Sequence, residues 1–193
     1  MHRLPIWLSL ALLLAACSTY HYSNDAYIAG IRSFDKNDFD AARRNWEPLA
    51  SAGDCDAQYR VGMLYFLGAG VPQDYKIAHQ WWTTAADQGE ASAQMLLATM
   101  YAHDSMSIMT MGSTTWFVCE KGCGYETDML AAYQWMRLAQ RLTPYDSGRR
   151  YAGEKAAKYW QSLTSEQAST TYEYLRTWRP NPAQCKQREI TQL

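Results

Sequence analysis

The sequence repeats itself with a period of 36 residues. The pattern Ala-Gln-x-x-x-(Gly or Ala)-x-x-Tyr starts at Ala57 and starts again at Ala93. An aspartate and a tryptophan recur at the same spacing, as Asp38 with Trp46 and as Asp74 with Trp82. Periods of 20–50 residues are typical of solenoids, in which a single unit cannot bury its apolar face alone. The chain is therefore predicted to fold as a stack of similar units.

The period lengthens once, in the third unit. Gly68-Ala-Gly70 returns as Gly122-Cys-Gly124, but 54 residues later instead of 36. The excess of 18 residues predicts an insertion, which we place at residues 104–121.

Each unit is predicted to be two helices joined by a glycine turn. In the second unit, Ala57, Val61 and Leu64 fall on one helical face. Gly68 and Gly70 supply positive φ for the reversal, and Asp74 is placed to cap the second helix. The corresponding turn residues of the third unit are Gly122, Gly124 and Asp128.

Gly62 lies inside a predicted helix, where glycine costs about 1 kcal/mol relative to alanine. We expect this cost to be offset by the close approach of an aromatic side chain from a neighbouring helix.

Residues 143–180 predict two further helices that cap the solenoid. Thr164-Ser-Glu-Gln167 has the pattern of a capping box, and it opens the second of these helices. Pro180 and Pro182 stop that helix, and residues 181–193 are predicted to form a polar tail.

Residues 55–89 resemble the Sel1-like repeat. They contain Ala-Gln-x-x-x-Gly-x-x-Tyr, then Gly-x-Gly-Val-x-x-Asp, Ala-x-x-Trp and Ala-Ala-x-x-Gly, and depart from the family pattern at Cys55 and Val61. The resemblance extends in part over residues 26–142. It implies an all-α, right-handed solenoid, similar to tetratricopeptide repeats, that binds proteins on a concave face. Exposed residues of the first helices, such as Gln58 and Tyr59, are the expected partner contacts there.

The first 17 residues resemble a bacterial lipoprotein signal. A short basic start is followed by an apolar run that is too short to span a membrane, and Leu14-Ala-Ala-Cys17 is similar to a lipobox. We expect cleavage of residues 1–16 and lipidation, including palmitate, at Cys17, with residues 17–25 as a tether. Ser18 favours sorting to the outer membrane, facing the periplasm of a Gram-negative cell. The alternative is a buried N-terminal helix with an incidental cysteine.

The sequence has five cysteines, and lipidation of one would leave an even set. The remaining Cys55, Cys119, Cys123 and Cys185 allow three pairings. We favour Cys119 with Cys123, which closes the shortest loop, and Cys55 with Cys185, which would hold the tail against the second unit. A buried free thiol is the alternative for Cys55.

Composition and motifs argue against several functions. The chain has 18 Lys and Arg against 19 Asp and Glu, without the basic patch of a nucleic-acid binder. It has no catalytic or nucleotide-binding motif of the common types. We therefore expect no enzyme activity, no cofactor and no nucleic-acid partner, and membrane contact through the N-terminal lipid alone.

The insertion is the part of the chain least like a repeat. Met106, Met109 and Met111 follow His103 and precede Cys119, a set that suits Cu(I). The same residues could simply pack the insertion over the solenoid, which we favour over copper. A third interpretation, also preferred to copper, is an apolar hairpin that binds a partner through the methionines with Trp116 and Phe117.

Together these features predict a lipid-anchored periplasmic scaffold for protein–protein interaction. A narrower alternative is an immunity lipoprotein that binds and neutralises a toxin, such as a secreted phospholipase, in the periplasm.

Overall fold

The computed structural model describes residues 25–110, 113–118 and 122–181. Helix α1 spans residues 25–35. The helices that follow are Phe39–Ser51 (α2), Cys55–Leu67 (α3), Tyr75–Asp87 (α4), Ala91–Tyr101 (α5), Met129–Leu142 (α6), Asp146–Trp160 (α7) and Ser165–Thr177 (α8). Each helix through α7 packs against the next, and α8 returns to α6. Within these residues no helix has both the length and the apolar character to cross a membrane.

Acidic side chains begin most of these helices. Asp54 and Asp128 each accept one backbone N–H at a helix start, and Asp74 accepts two, from Lys76 and Ile77. These carboxylates satisfy amides that have no partner inside the helix. The predicted capping box is confirmed, because Thr164 and Gln167 bond each other's backbone N–H groups at the start of α8.

A glycine inside α3 lets a tryptophan of α4 lie against the helix backbone. A Cβ atom placed on Gly62 would lie 2.4 Å from Nε1 of Trp82. That indole nitrogen donates a hydrogen bond of 3.2 Å to the Tyr59 carbonyl. The expected close approach is therefore confirmed. Gly30 and Trp46 make the same contact in the first unit.

Buried glutamines join neighbouring units. Gln58 in α3 donates to the carbonyl of Ala50 in α2 at 3.1 Å, and Gln94 in α5 donates to Ala86 in α4 at 2.9 Å. The expectation that Gln58 is exposed is wrong, since it is only 3% exposed. Its amide is buried because it satisfies a carbonyl at the end of the preceding helix.

The insertion contains two antiparallel strands, Ser105–Thr110 (β1) and Ser113–Val118 (β2). The prediction of a helical solenoid is confirmed for the repeats, and the insertion adds this small sheet to it. A short 3₁₀ turn, Gly122–Gly124, then leads back to α6.

Candidate interaction surface

A carboxylate fixes the start of the insertion to α7. Oδ2 of Asp104, the residue before β1, lies 2.8 Å from Nζ of Lys155 and 3.1 Å from Nζ of Lys158. The Tyr159 hydroxyl donates to the same oxygen at 3.2 Å. The Asp104 side chain is only 13% exposed, so this ion pair is less screened than a surface one. Burial and the neighbouring Asp104 carboxylate both raise the pKa of Tyr159.

An aromatic and histidine cluster fixes the end of the insertion. The ring of Tyr125 stacks on His79 of α4 at 4.2 Å, and Nε2 of His79 hydrogen-bonds the Tyr101 hydroxyl at 2.9 Å. His103 donates to the Tyr125 carbonyl at 2.8 Å and also hydrogen-bonds Thr127. Burial lowers the pKa of His79, which favours its neutral ring. The insertion is thus attached to the solenoid on both sides.

The hairpin between these two attachments carries no charged residue and no proline over residues 105–118. Met106 pairs with Phe117, and Ser107 pairs with Trp116. Directly paired residues share a face and neighbouring residues alternate, so apolar residues occupy register positions on both faces. A lone two-stranded hairpin is marginally stable in water, and this one therefore depends on its attachments or on a partner.

Of the predicted hairpin contacts, Met106 and Met109 lie on β1, and Trp116 and Phe117 lie on β2. Met111 lies outside the described residues.

A second polar centre lies on the first helices of the first and second units. The guanidinium carbon of Arg60 lies 5.8 Å from the Trp46 ring centroid and 5.5 Å from that of Tyr59. Its Nε donates to the Tyr27 hydroxyl at 3.3 Å. Cation–π contacts of this kind hold a guanidinium in one orientation. Tyr59 is half-buried, and burial raises its pKa to about 12.

Two carboxylates flank Arg60. Burial, followed by repulsion from Glu90, raises the pKa of Asp56 to about 6, against a smaller lowering by Arg60. Glu90 caps α5 by accepting the Ala93 N–H, and burial raises its pKa too. The centre therefore presents one fixed cation beside two acids, which suits polar contacts with a partner.

The described cysteines are both oxidised. Cys55 is 2% exposed and Cys123 is 9% exposed, and each is in a disulfide. Cys17, Cys119 and Cys185 lie outside the described residues, so both pairings and the lipidation site stay predictions. Among the described side chains, no cluster of three His, Cys, Asp or Glu is arranged to hold a metal ion.

The predicted turn residues lie at helix boundaries. Gly68 ends α3 with a φ of 67°, and Gly70 has a φ of 70°. In the third unit Gly122 and Gly124 bound the 3₁₀ turn, and Asp128 accepts the Ala131 N–H at the start of α6.

Sequence analysis missed Arg60, His79 and Asp104 as site residues. Their partners are distant in the chain, as with Asp104 and Lys155, so periodicity gave no sign of them. The position of Asp104 at the edge of the insertion was the one available signal.

Stacked helix pairs, with small residues opposite tryptophans, define a helical-repeat protein of the tetratricopeptide-like class. Residues 55–90 and 118–141 match the Sel1 repeat family. The chain is a Sel1-like repeat protein, as its sequence predicts.

Two solved structures are similar to the chain. One is a protective antigen present in uropathogenic Escherichia coli strains that displays an SLR fold. It aligns with a TM-score of 0.62 and 21% identity over 82% of this chain and 31% of its own, which supports the fold alone. A Sel1 repeat protein from Oxalobacter formigenes aligns with a TM-score of 0.48 and 23% identity over 70% of this chain and 54% of its own.

One curated relative matches over a short segment. The ERAD-associated E3 ubiquitin-protein ligase component HRD3A of Arabidopsis thaliana is 35% identical over 57 residues, which is 29% of this chain. The chain spans only 8% of the length of HRD3A.

Proposed function

We propose that this protein is a scaffold that binds another protein through the hairpin at residues 105–118. The observation that carries the proposal is an uncharged ribbon, apolar on both faces, attached to the solenoid by Asp104 on one side and Tyr125 on the other. Edges of isolated sheets are normally protected by charge or proline. Their absence here, on an element held in place by its base, fits a surface that a partner covers.

We also propose that the scaffold is anchored by lipid at Cys17 and faces the periplasm. The support is the order of basic start, apolar run and small-small-Cys in the first 17 residues. Cys17→Ala should leave an unlipidated precursor, and normal palmitate labelling of that variant would contradict the anchor.

The binding proposal is tested by restoring an ordinary repeat. Deleting residues 104–121 and changing Cys123→Ala recreates the Gly-Ala-Gly turn that the second unit has at Gly68 and Gly70. Pull-downs from detergent-solubilised envelope should capture a partner with the intact chain and lose it with the deletion variant. Tyr172→Ser on α8 is the control, since this side chain is 72% exposed and lies outside the hairpin.

Thermal unfolding must show that the deletion variant still folds. Undiminished capture of the same partner by the folded deletion variant would refute the hairpin as the contact element. If the partner is a toxin, and the purified protein neutralises it, the scaffold is an immunity lipoprotein; a partner of another kind excludes that narrower role.

A further inference from the structure

Four carboxylates gather where two neighbouring turns of the solenoid meet. Asp54 and Asp56 lie at the start of α3, while Asp87 ends α4 and Glu90 caps α5. We call these four residues the acidic corner. The two turns are joined directly, because Gln88 donates to the buried Gln58 of α3 at 2.8 Å.

The end of the described chain is attached to this corner. The backbone N–H of Asn181 donates to the Asp87 carbonyl at 2.8 Å. Pro180 lies beside Gly89, where a Cβ on the glycine would be 3.2 Å from Cβ of the proline. Residues 182–193 therefore start at the acidic corner.

The charges of these last residues complement the corner. They include Lys186 and Arg188 against a single acidic side chain, Glu189. The corner itself holds like charges close together, since repulsion from Glu90 contributes to the raised pKa of Asp56. A cation placed between these two acids would relieve that repulsion.

A cysteine also lies within the corner. Cys55 stands between Asp54 and Asp56, is 2% exposed and is in a disulfide. The four residues from Asn181 to Cys185 can span about 13 Å when extended. Asn181 bonds the residue next to Gln88, and Gln88 bonds Gln58, which lies one helical turn from Cys55.

We propose that residues 182–193 dock on the acidic corner, with Cys185 as the disulfide partner of Cys55 and with Lys186 and Arg188 against the carboxylates. The bond forms when two thiols give up two protons and two electrons to a disulfide oxidant. The tail would then be a fastened strap beside the Arg60 centre rather than a free polar extension. This inference does not depend on the proposed function of the hairpin.

Peptide mapping of the full chain under non-reducing conditions tests the bond. The expected product joins the peptide containing Cys55 to the peptide containing Cys185. A bridge from Cys55 to Cys119 or Cys123 would overturn the assignment.

Hydrogen exchange of the tail amides tests docking separately. In the oxidised full chain we expect exchange of residues 183–190 to be at least tenfold slower than in an unstructured peptide of the same sequence. Unprotected exchange would overturn docking even if the disulfide is present.

The charge contribution is tested in a Cys185→Ser background, where the bond cannot form. Lys186→Glu with Arg188→Glu should abolish the remaining protection, whereas the matched control Glu189→Lys should preserve or increase it. Equal protection in the two charge variants would overturn the role of the cations.

Discussion

The second and third units share one template but differ in how their helices meet. In the second unit Trp82 lies over Gly62 and its indole donates to the Tyr59 carbonyl. At the corresponding positions of the third unit, Ala98 and Met136 belong to one buried cluster. The carbonyl of Met95, equivalent to that of Tyr59, instead accepts from the Thr99 hydroxyl at 2.8 Å.

This difference shows that volume is exchanged between facing positions while the backbone arrangement is kept. A larger residue on the first helix accompanies a smaller one on the second, as close packing requires. The packing of the helix pair is therefore separable from the length of the turn that joins it. The third unit uses that freedom to carry the insertion.

The largest effect is expected from Gly62→Ala. The added methyl group would overlap the Trp82 indole, at a cost of about 1–3 kcal/mol from overpacking, partly offset by about 1 kcal/mol of helix propensity. Chemical denaturation should show net destabilisation. The double variant with Trp82→Met recreates the third-unit pair and should cost less than the sum of the two single changes; strict additivity would break the comparison.

Next in size is Asp104→Asn, which weakens the attachment of the hairpin. Lys155 is only 21% exposed and would lose its counter-charge, so we expect a loss of about 1–3 kcal/mol in unfolding free energy. The control is Asp146→Asn, whose partner Arg149 is 46% exposed; about 0.5 kcal/mol or less is expected there. Equal losses at the two sites would show that Asp104 does no more than a surface charge.

A smaller effect is expected from Gln88→Leu. The third unit has Leu142 at this position, and there the buried Oε1 of Gln94 has no partner among the described residues. Removing the donor to Gln58 should cost about 1 kcal/mol in a denaturation experiment. Gln80→Leu, on the exposed side of the same helix, should change stability by about 0.5 kcal/mol at most.

The smallest effect concerns pH. Burial lowers the pKa of His79, so the unfolded chain binds this proton first as the pH falls below about 6.5, the ordinary value for histidine. Stability contributed by neutral His79 should therefore be present above that value and lost below it. His79→Gln should flatten the fall in melting temperature between pH 7.5 and 5, and an unchanged slope would contradict the role of the buried ring.

The repeats could be predicted from sequence because their signals are local. Helix caps, glycine turns and the small residue at Gly62 each follow from spacing within one unit. The attachment of Asp104 to Lys155 joins residues from different units, and no periodicity predicts such a pair. Gln58 misled for another reason: its side chain is polar, yet it is buried because it satisfies a backbone carbonyl of the preceding helix.

The two attachments of the insertion have a mechanical consequence. Asp104 is held by α7 and Tyr125 by α4, helices that belong to different units. A load applied at the tip of the ribbon would be divided between these two anchorages and carried into both ends of the stack. The hairpin would then act as a stiff lever rather than a hinged flap, and a tug on it would strain the whole solenoid together.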